Sequence, residues 1–502
     1  MRTRVAIAAP SRASTDAALR IAELGGGAVD AAVAAMLVAM VNEPGIVSLA
    51  GGAYVIVWPT GEPDAVTVDG YVAMPGLGRP DTAPYPVARE VRTDYGGGLT
   101  MTAGHASVAT PGALAGLDLA QSRWGSLPWR EVVEPAEEVA HDGFRLGAAA
   151  GYYLPYVRES LLAWDPETRA AVHRDDGTPV ATGDLVVVDG LADTLELIAA
   201  EGARTLYDGE LARRVVSDMA DRGGLVTSRD LGDYRPVVRP ALGVGAGAWS
   251  LRTNPPPAIG GAVLAAMLTL LGKRPHDVAQ LVAVQQRVLD VRRDRLDVAH
   301  DREAAALDLL REVGWQSAGP ASTAHVSVVD SHGTACAITA SHGYGSGATV
   351  PGTGLWLNNC LGELELNRAP LRPGERLRSN MAPTVGRHAN GAALAIGSPG
   401  ADRITTALLQ VLASFASGGG SLQDAVDGPR LHVHHLDEGD PDGPARVEAE
   451  DDLALPALDL PVRLHHRHSM YFGGVGAALR QGSGDLQAAA DPRRAGATAV
   501  SS

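Results

Sequence analysis

A pair of hydroxyl residues at the open end of a predicted hairpin is the first feature of this sequence that suggests chemistry. In "STAHVSVVDSHGTACAITAS", residues 322–341, two apolar strand patterns flank the turn "SHG", whose glycine suits a left-handed backbone. Pairing Asp330 with Thr334 sets the register. Continued outward, it places Thr323 opposite Ser341, and directly opposed residues project to the same face of a sheet. Alone, this is an ordinary cross-strand pair, because Thr323 has no basic neighbour in sequence.

A glycine turn supplies a second candidate. "NGAALAIGSPGADRITTALLQ" contains a buried strand pattern, the turn "GSPGA" at residues 397–401, and a helix pattern. Free backbone N–H groups at such a turn can stabilise an oxyanion or bind phosphate. A plain strand-to-helix connection explains the same pattern.

Two further patterns resemble known binding sites, but we predict no binding at either. His432 and His434 would share a strand face in "LHVHHLDEGD", but no carboxylate-and-histidine set with recognised zinc spacing surrounds them, so no metal is predicted. "GYGSGA" and "GVGAGA" imitate a dinucleotide fingerprint, yet neither leads into a helix pattern. We therefore expect no cofactor.

These candidates depend on elements from distant parts of the chain. Near the start, two helix patterns are broken at Gly25–Gly27, and "GGAYVIVWP" and "DAVTVDGYVAMPG" follow as strands. From Ala106 to about Arg311 the pattern is mainly helical, and strands return from Thr323 onward. Strands at both ends with a helical middle favour one layered α/β unit.

Composition excludes several classes of function. The 502 residues are 45% hydrophobic and carry a net charge of −16 without a basic run, so nucleic acid is an unlikely partner. No apolar run is long enough for a membrane span, and the apolar part of the amino terminus is too short for a signal peptide. Two cysteines make no disulfide framework. We expect a cytoplasmic protein with no membrane partner.

Taken together, the motifs resemble the gamma-glutamyltranspeptidase family of N-terminal-nucleophile hydrolases. "TAHVSVVD" is similar to that family's processing motif, usually T-T-H-x-S-V-V-D, and "LWLNN", "SNMAPT" and "IGSPGADRI" follow in the family's order. Upstream, "GGAVDAAVAA", "GHASVATPGALAGL", "EGARTLYDGELA" and "PPPAIGG" match as well, as does "MYFGGVGAAL" near the end. The resemblance covers nearly the whole chain.

The resemblance implies the fold and the maturation of the chain. It implies a four-layer αββα sandwich, one structural unit that is built from both fragments of a self-cleaved precursor. The cut would fall between Ser322 and Thr323, leaving a large fragment, 1–322, and a small fragment, 323–502, as a heterodimer. The new α-amine of Thr323, which titrates near neutral pH, would then act as the base for its own hydroxyl.

The resemblance also assigns the remaining machinery. The family places a hydroxyl residue 18 positions after its nucleophile, which is Ser341 here. The N–H groups of Gly400 and Ala401 would form the oxyanion hole, and alanine at the second position keeps the backbone donor.

The substrate pocket departs from the family pattern. Tyr71 stands where the family has the arginine that holds the α-carboxylate of a glutamyl substrate. Gly343 replaces an asparagine, and Cys360 replaces a Gln or Glu. Glu363 aligns with the aspartate that receives the substrate's α-amino group. The family's paired serines become Ser379 and Asn380, and the short stretch before them leaves no room for the pocket lid of many members.

These departures predict a substrate other than plain glutathione. We expect a self-processing N-terminal-threonine hydrolase that cleaves an acyl bond of a small molecule, either an amide or an acyl C–C bond in antibiotic assembly. An ordinary gamma-glutamyl hydrolase or transferase with a rebuilt clamp is the alternative. An uncleaved, inactive binding homologue is a further alternative, against which the retention of Thr323, Ser341 and Gly400 speaks.

Overall fold

Strands from the two ends of the sequence pair into common sheets in the computed structural model. The structure describes residues 3–80, 82–95, 98–272, 276–313, 324–364, 366–367, 370–418, 420–435 and 445–502. No helix in these ranges is both long and apolar enough to cross a membrane.

The strands follow the chain in this order: β1 (Val5–Ala9), β2 (Gly52–Trp58), β3 (Val66–Gly70), β4 (Arg89–Thr93), β5 (Leu99–Ala103), β6 (Phe144–Arg145), β7 (Leu185–Val186), β8 (Val237–Pro240), β9 (Leu242–Ala246), β10 (Trp249–Thr253), β11 (Ala324–Asp330), β12 (Ala335–Ser341), β13 (Thr349–Val350), β14 (Leu355–Trp356), β15 (Thr384–His388), β16 (Ala393–Gly397), β17 (Leu431–His435), β18 (Ala445–Glu450), β19 (Val462–His465), β20 (Gly476–Arg480), β21 (Leu486–Ala490) and β22 (Ala497–Val500).

The α-helices are α1 (Arg12–Glu23), α2 (Ala28–Asn42), α3 (Ala113–Trp124), α4 (Trp129–Asp142), α5 (Ala148–Val157), α6 (Pro166–Val172), α7 (Leu191–Glu201), α8 (Glu210–Asp221), α9 (Ser228–Asp233), α10 (Gly260–Leu271), α11 (Val278–Val291), α12 (Arg302–Glu312), α13 (Ile404–Ala416) and α14 (Leu422–Asp427).

Two antiparallel sheets form the centre of the molecule. The first has the order β22-β1-β11-β12-β2-β3-β8, and the second has the order β21-β20-β16-β15-β10-β9. Small and β-branched side chains, among them Ala337 on β12 and Ala395 on β16, fill the space between the sheets. Such residues let two pleated surfaces approach closely, which explains a chain that is only 4% aromatic.

Helices cover the outer face of each sheet. Every residue of α2 is buried, and the helix packs against β11 and β12. On the other side, α10 and α13 belong to the hydrophobic cluster that includes β9, β10 and β16. The order of layers is therefore helix, sheet, sheet, helix, and the predicted four-layer αββα sandwich is confirmed.

The middle of the chain contains strands that the sequence pattern did not predict. The two helices broken at Gly25–Gly27 are present as α1 and α2, but the region expected to be mainly helical also contains β8, β9 and β10. β8 borders the first sheet, and β9 and β10 border the second. The glycines of "LGVGA" hide the strand pattern because they supply no side chain to the alternation.

Candidate active site

The hairpin of β11 and β12 lies inside the first sheet, and Ser341 is the last residue of β12. Ala324 pairs with Ala340, the last pair of the predicted register within the described residues. Thr323 and Ser322 lie outside these residues. Ser341, the predicted partner of Thr323, pairs with Gly52 on β2. Oγ of Ser341 accepts a hydrogen bond from the Gly343 N–H at 3.0 Å.

The turn after β16 has the backbone geometry of an N–H cradle. Gly400 has φ of 134° and Ala401 has φ of 53°. An alanine in the left-handed region carries strain, and such strain concentrates at functional sites. Neither of these two N–H groups has a hydrogen-bond acceptor within the described part of the chain. The turn is braced by Ser398, whose Oγ accepts from the Gly474 N–H at 3.2 Å.

His325 connects this turn to the hairpin. Its ring lies so close to β16 that a Cβ on Gly397 would be 2.3 Å from the ring carbon Cε1. Nδ1 is 2.8 Å from Oγ1 of Thr339, and Nε2 is 2.7 Å from Oγ of Ser327. Burial lowers the pKa of His325 to about 3, so the ring is neutral at pH 7. It is a positioning group that holds the two sheets together two residues after Thr323.

Tyr71 follows β3 and lies close to Gly52, the strand partner of Ser341. A Cβ on Gly52, the partner of Ser341, would be 2.5 Å from Cδ2 of Tyr71. The Tyr71 ring stacks on Tyr54 at a centroid distance of 5.5 Å. Tyr71 is 1% exposed. Burial raises the pKa of its phenol, and the neighbouring Cys360 and Glu363 raise it further, so the group is neutral.

The other predicted pocket residues gather around Tyr71. Cys360 belongs to the same buried cluster as Tyr71, together with Leu377 and Met381. Burial raises the pKa of the Cys360 thiol, and both cysteines of the chain are free. Glu363, Ser379 and Asn380 are buried as well. The backbone of Leu377 donates to Val72 O at 3.0 Å, which ties the segment before Ser379 to the residue after Tyr71.

Two asparagines, quoted above only as part of "LWLNN", fix the chain that carries Cys360. Oδ1 of Asn358 accepts from the N–H groups of Ala109 and Cys360 at 3.0 and 3.1 Å. Oδ1 of Asn359 accepts from the Tyr344 N–H at 2.6 Å. A Cβ on Gly343 would lie 2.3 Å from that same oxygen, and Gly343 has φ of 68°. Glycine here is therefore required by close approach and backbone conformation.

The arginines near Tyr71 are engaged elsewhere. Nε of Arg376 lies 3.2 Å from Oδ1 of Asp69, and Nε of Arg239 lies 3.1 Å from the other oxygen of that carboxylate. Arg378 donates to Leu366 O at 2.8 Å and to Ala299 O at 3.1 Å.

A cavity of about 880 Å³ borders Ala73, but none of the predicted site residues lines it.

The structure also places a third possible ligand beside the two histidines on β17. The side chains of Asp402, His432 and His434 offer ligand atoms within 4.8 Å of one another. The sequence analysis considered the histidines without Asp402, because 30 residues separate it from His432. The sequence signal for Asp402 was its position directly after Ala401 in the turn "SPGAD".

Comparisons with known proteins agree on one family. The family profile described as Gamma-glutamyltranspeptidase matches residues 14–291 and 274–501. The Acylase ACY 1 proenzyme of Pseudomonas sp. (strain V22) is 30% identical over 472 residues, which cover 84% of this chain and 82% of that protein. The Glutathione hydrolase proenzyme of Escherichia coli (strain K12) is 26% identical over 543 residues, with 97% and 90% covered.

A solved structure supports the same fold. The crystal structure of cephalosporin acylase from Bacillus halodurans superposes with a TM-score of 0.77 at 21% identity, covering 99% of this chain and 95% of that one. This likeness agrees with the layers and sheet orders described above, and the family profile spans almost the whole sequence. The chain therefore belongs to the gamma-glutamyltranspeptidase family and is an enzyme of its hydrolase and acyltransferase class.

Proposed function

We propose that the chain is a self-processing N-terminal-threonine hydrolase that cleaves an acyl bond of a small substrate with no carboxylate at the Tyr71 position. One observation carries the proposal: a buried, neutral tyrosine directly follows β3 and packs against Gly52, the strand partner of Ser341. The similarity to an acylase, at 30% identity, supports the same substrate class. The bond that it cleaves is either an amide or an acyl C–C bond.

Membership of the family implies the maturation step. In the precursor, the Thr323 hydroxyl attacks the carbonyl carbon of Ser322, and the peptide C–N bond breaks as an ester forms. Water then hydrolyses that ester and releases the Ser322 carboxylate together with a free α-amine on Thr323. The products are the fragments 1–322 and 323–502, each of which contributes strands to both central sheets.

In turnover, the free α-amine accepts the proton of the Thr323 hydroxyl as the oxygen attacks the substrate carbonyl. The N–H groups of Gly400 and Ala401 stabilise the oxyanion of the tetrahedral intermediate. The amine then returns its proton to the leaving group, which departs and leaves an acyl ester on Thr323. Water hydrolyses the ester by the same route.

The pocket around Tyr71 is suited to a neutral group. A carboxylate that enters a buried pocket loses its hydration, and this cost is offset only by a cationic or multiply hydrogen-bonding partner. Tyr71 offers one neutral hydroxyl and an aromatic face, and the guanidinium groups of Arg376 and Arg378 already hold protein acceptors. An amide, a ring or an aliphatic acyl group therefore fits better than an α-carboxylate.

A gamma-glutamyl hydrolase or transferase is the second candidate. Glu363 is 5% exposed and neighbours both Tyr71 and Cys360. Its carboxylate, aligned with the family's aspartate, would receive the ammonium group of a glutamyl substrate. The similarity to glutathione hydrolases supports this candidate.

A paired assay separates the two candidates. Gamma-glutamyl p-nitroanilide and acyl p-nitroanilides of similar length without the α-carboxylate are compared by kcat/KM on the parent and on Tyr71→Arg. The parent should prefer the acyl compounds. Tyr71→Arg should shift the ratio toward the gamma-glutamyl compound by about 10-fold or more, because a charge-assisted contact contributes about 1.5–3 kcal/mol.

The control is Tyr85→Arg, which adds the same charge at an exposed tyrosine. Thermal melts of both variants check that the fold survives. A parent enzyme that cleaves the gamma-glutamyl donor as efficiently as its best acyl donor would overturn the altered-pocket proposal in favour of the second candidate.

A further inference from the structure

Three polar side chains with the chemistry of metal ligands meet directly after the oxyanion turn. Nε2 of His432 lies 3.3 Å from Oδ2 of Asp402, and Nδ1 of His434 lies 3.9 Å from the same oxygen. Both ring nitrogens are buried, and neither has a hydrogen bond of ordinary geometry within the described residues. His432 is 1% exposed. Buried nitrogen atoms without partners are costly, so this arrangement calls for a ligand.

The hydrogen bonds of the neighbours assign the tautomer of His432. The Thr406 hydroxyl donates to Arg403 O at 3.0 Å, so toward Nδ1 of His432, 3.1 Å away, it acts as an acceptor. Nδ1 then carries the proton, and the lone pair of Nε2 points at a carboxylate oxygen of Asp402. Two acceptors face each other across 3.3 Å. That contact is favourable only when a cation or a proton lies between them.

A metal ion accounts for the contact better than a proton. A proton between His432 and Asp402 would leave Nδ1 of His434 without a partner, whereas a metal ion can bind all three ligand atoms. In a tetrahedral zinc site with bonds of about 2.0–2.1 Å, ligand atoms are about 3.3 Å apart. The two measured separations match this value after a small movement of His434, whose side chain is one-third exposed. We propose that Asp402, His432 and His434 form a zinc site with its fourth position open to solvent.

The surrounding charges are already balanced without the ion. The Arg403 guanidinium pairs with Oδ1 of Asp402 and lies 4.6 Å from the Tyr471 ring centroid, which leaves Oδ2 for the histidines. Glu448, the cross-strand partner of His432, is bound by Arg446 and His465 at 2.7 Å each. The cluster therefore has one carboxylate oxygen and two ring nitrogens available.

The position of the site gives it a consequence for the neighbouring turn. Asp402 is the residue after Ala401, whose backbone is strained at φ of 53°. An ion that joins Asp402 to two residues of β17 would hold this turn against the small sheet of β17, β18 and β19. Metal uptake itself is independent of the proposed acyl chemistry, because it is measured as binding to the protein without any substrate.

The test is a zinc titration of full-length protein that has been treated with a chelator and then freed of it. Isothermal titration calorimetry should show one Zn²⁺ per chain. Co²⁺, used as a probe in the same site, should give the visible absorption of a tetrahedral complex. His434→Ala should weaken Zn²⁺ binding by about 100-fold or more, since loss of a ligand exceeds the usual effect of losing a supporting group.

Two additional variants make the outcome decisive. Asp402→Asn should lose affinity in the same way without opening a buried cavity. His141→Ala removes an exposed histidine on α4 and should bind as the parent does. The proposal is wrong if the parent binds no stoichiometric Zn²⁺, or if His434→Ala and Asp402→Asn both keep the parent's dissociation constant.

Discussion

At the scale of single residues, Ser341 has one hydrogen bond that orients it. Its Oγ accepts from the Gly343 N–H at 3.0 Å, so the hydroxyl proton is left to donate. Continued by one residue, the hairpin register predicts that this side chain shares a face with Thr323. We therefore expect the proton of Ser341 to stabilise the threonine oxygen as it gains negative charge.

Ser341→Ala should slow turnover by about 10-fold or more while the fold is kept, because one hydrogen bond to a developing charge contributes about 1.5–3 kcal/mol. Rates of turnover and of precursor cleavage are measured beside a circular dichroism melt. Ser331→Ala, at the turn of the same hairpin, is the control and should match the parent. Equal rates for Ser341→Ala and the parent would show that Ser341 does not assist Thr323.

The sequence predicted the pairing of β11 with β12 because the register of a hairpin is a local property. Once the turn was placed at "SHG", every cross-strand pair followed from counting, and the pairs from Ala324 to Val329 are confirmed. Contacts between distant segments do not follow from counting. The approach of Tyr71 to Gly52 and the meeting of Asp402 with His432 depend on how separate elements pack, and no local pattern encodes them.

At the scale of elements, the sequence predicts the ends of helices where a capping residue or a glycine marks them. Ser11 caps α1 by accepting from the Ser14 N–H, and the glycines after residue 24 separate α1 from α2. β9 was missed because its alternating glycines weaken the hydrophobic period. Its strand conformation is stabilised by pairing with β10, which in turn pairs with β15. Tertiary pairing decides such segments.

The contact between β16 and β11 gives a prediction at this scale. Gly397→Ala should lower the free energy of unfolding by about 1–3 kcal/mol, since its Cβ would lie within 3 Å of three atoms of the His325 ring. That ring is held by Thr339 and Ser327 and has little freedom to move. Chemical denaturation measures the change.

Gly245→Ala is the matched control for this prediction. Gly245 lies on β9 of the same sheet, and a Cβ there would meet no atom within 4 Å. Its effect should stay within about 0.5 kcal/mol of the parent. If both variants are equally stable, His325 does not brace the oxyanion turn as described.

At the scale of the whole molecule, stability should depend on pH through Glu43. Burial raises the pKa of Glu43 from 4.5 to about 8, and Arg494 opposes the shift. The folded state therefore binds this proton more tightly than the unfolded state. The resulting stabilisation is complete below pH 4.5 and is lost as the pH rises toward 8. Between those limits the slope is about 1.4 kcal/mol per pH unit.

Glu43→Gln should abolish this slope. The free energy of unfolding is measured for both proteins at several pH values between about 6.5 and 8. The buried His325 and His342, whose pKa values burial lowers to about 3 and 4, are present in both proteins, so the slope that they add cancels in the comparison. As the pH rises, the free energy of unfolding of the variant should increase relative to that of the parent. A constant difference between the two proteins would mean that Glu43 is ionised in the folded state.

The central sheets also bear on maturation. In the first sheet, β11 lies between β1 and β12, and β12 pairs with β2, so strands from both sides of the predicted cut are interleaved. Neither fragment contains all the strands of either central sheet. After cleavage the two fragments should remain associated, because separation would expose unpaired strand edges and the apolar space between the sheets.

The most direct measurement of the whole account is the amino-terminal sequence of the purified protein's smaller fragment. The account predicts two fragments on a denaturing gel, corresponding to residues 1–322 and 323–502, with the smaller one beginning at Thr323. Thr323→Ala should remain a single inactive chain of 51.8 kDa. A parent protein that stays uncut, or a smaller fragment that begins at any other residue, would contradict the assignment of Thr323 as the nucleophile.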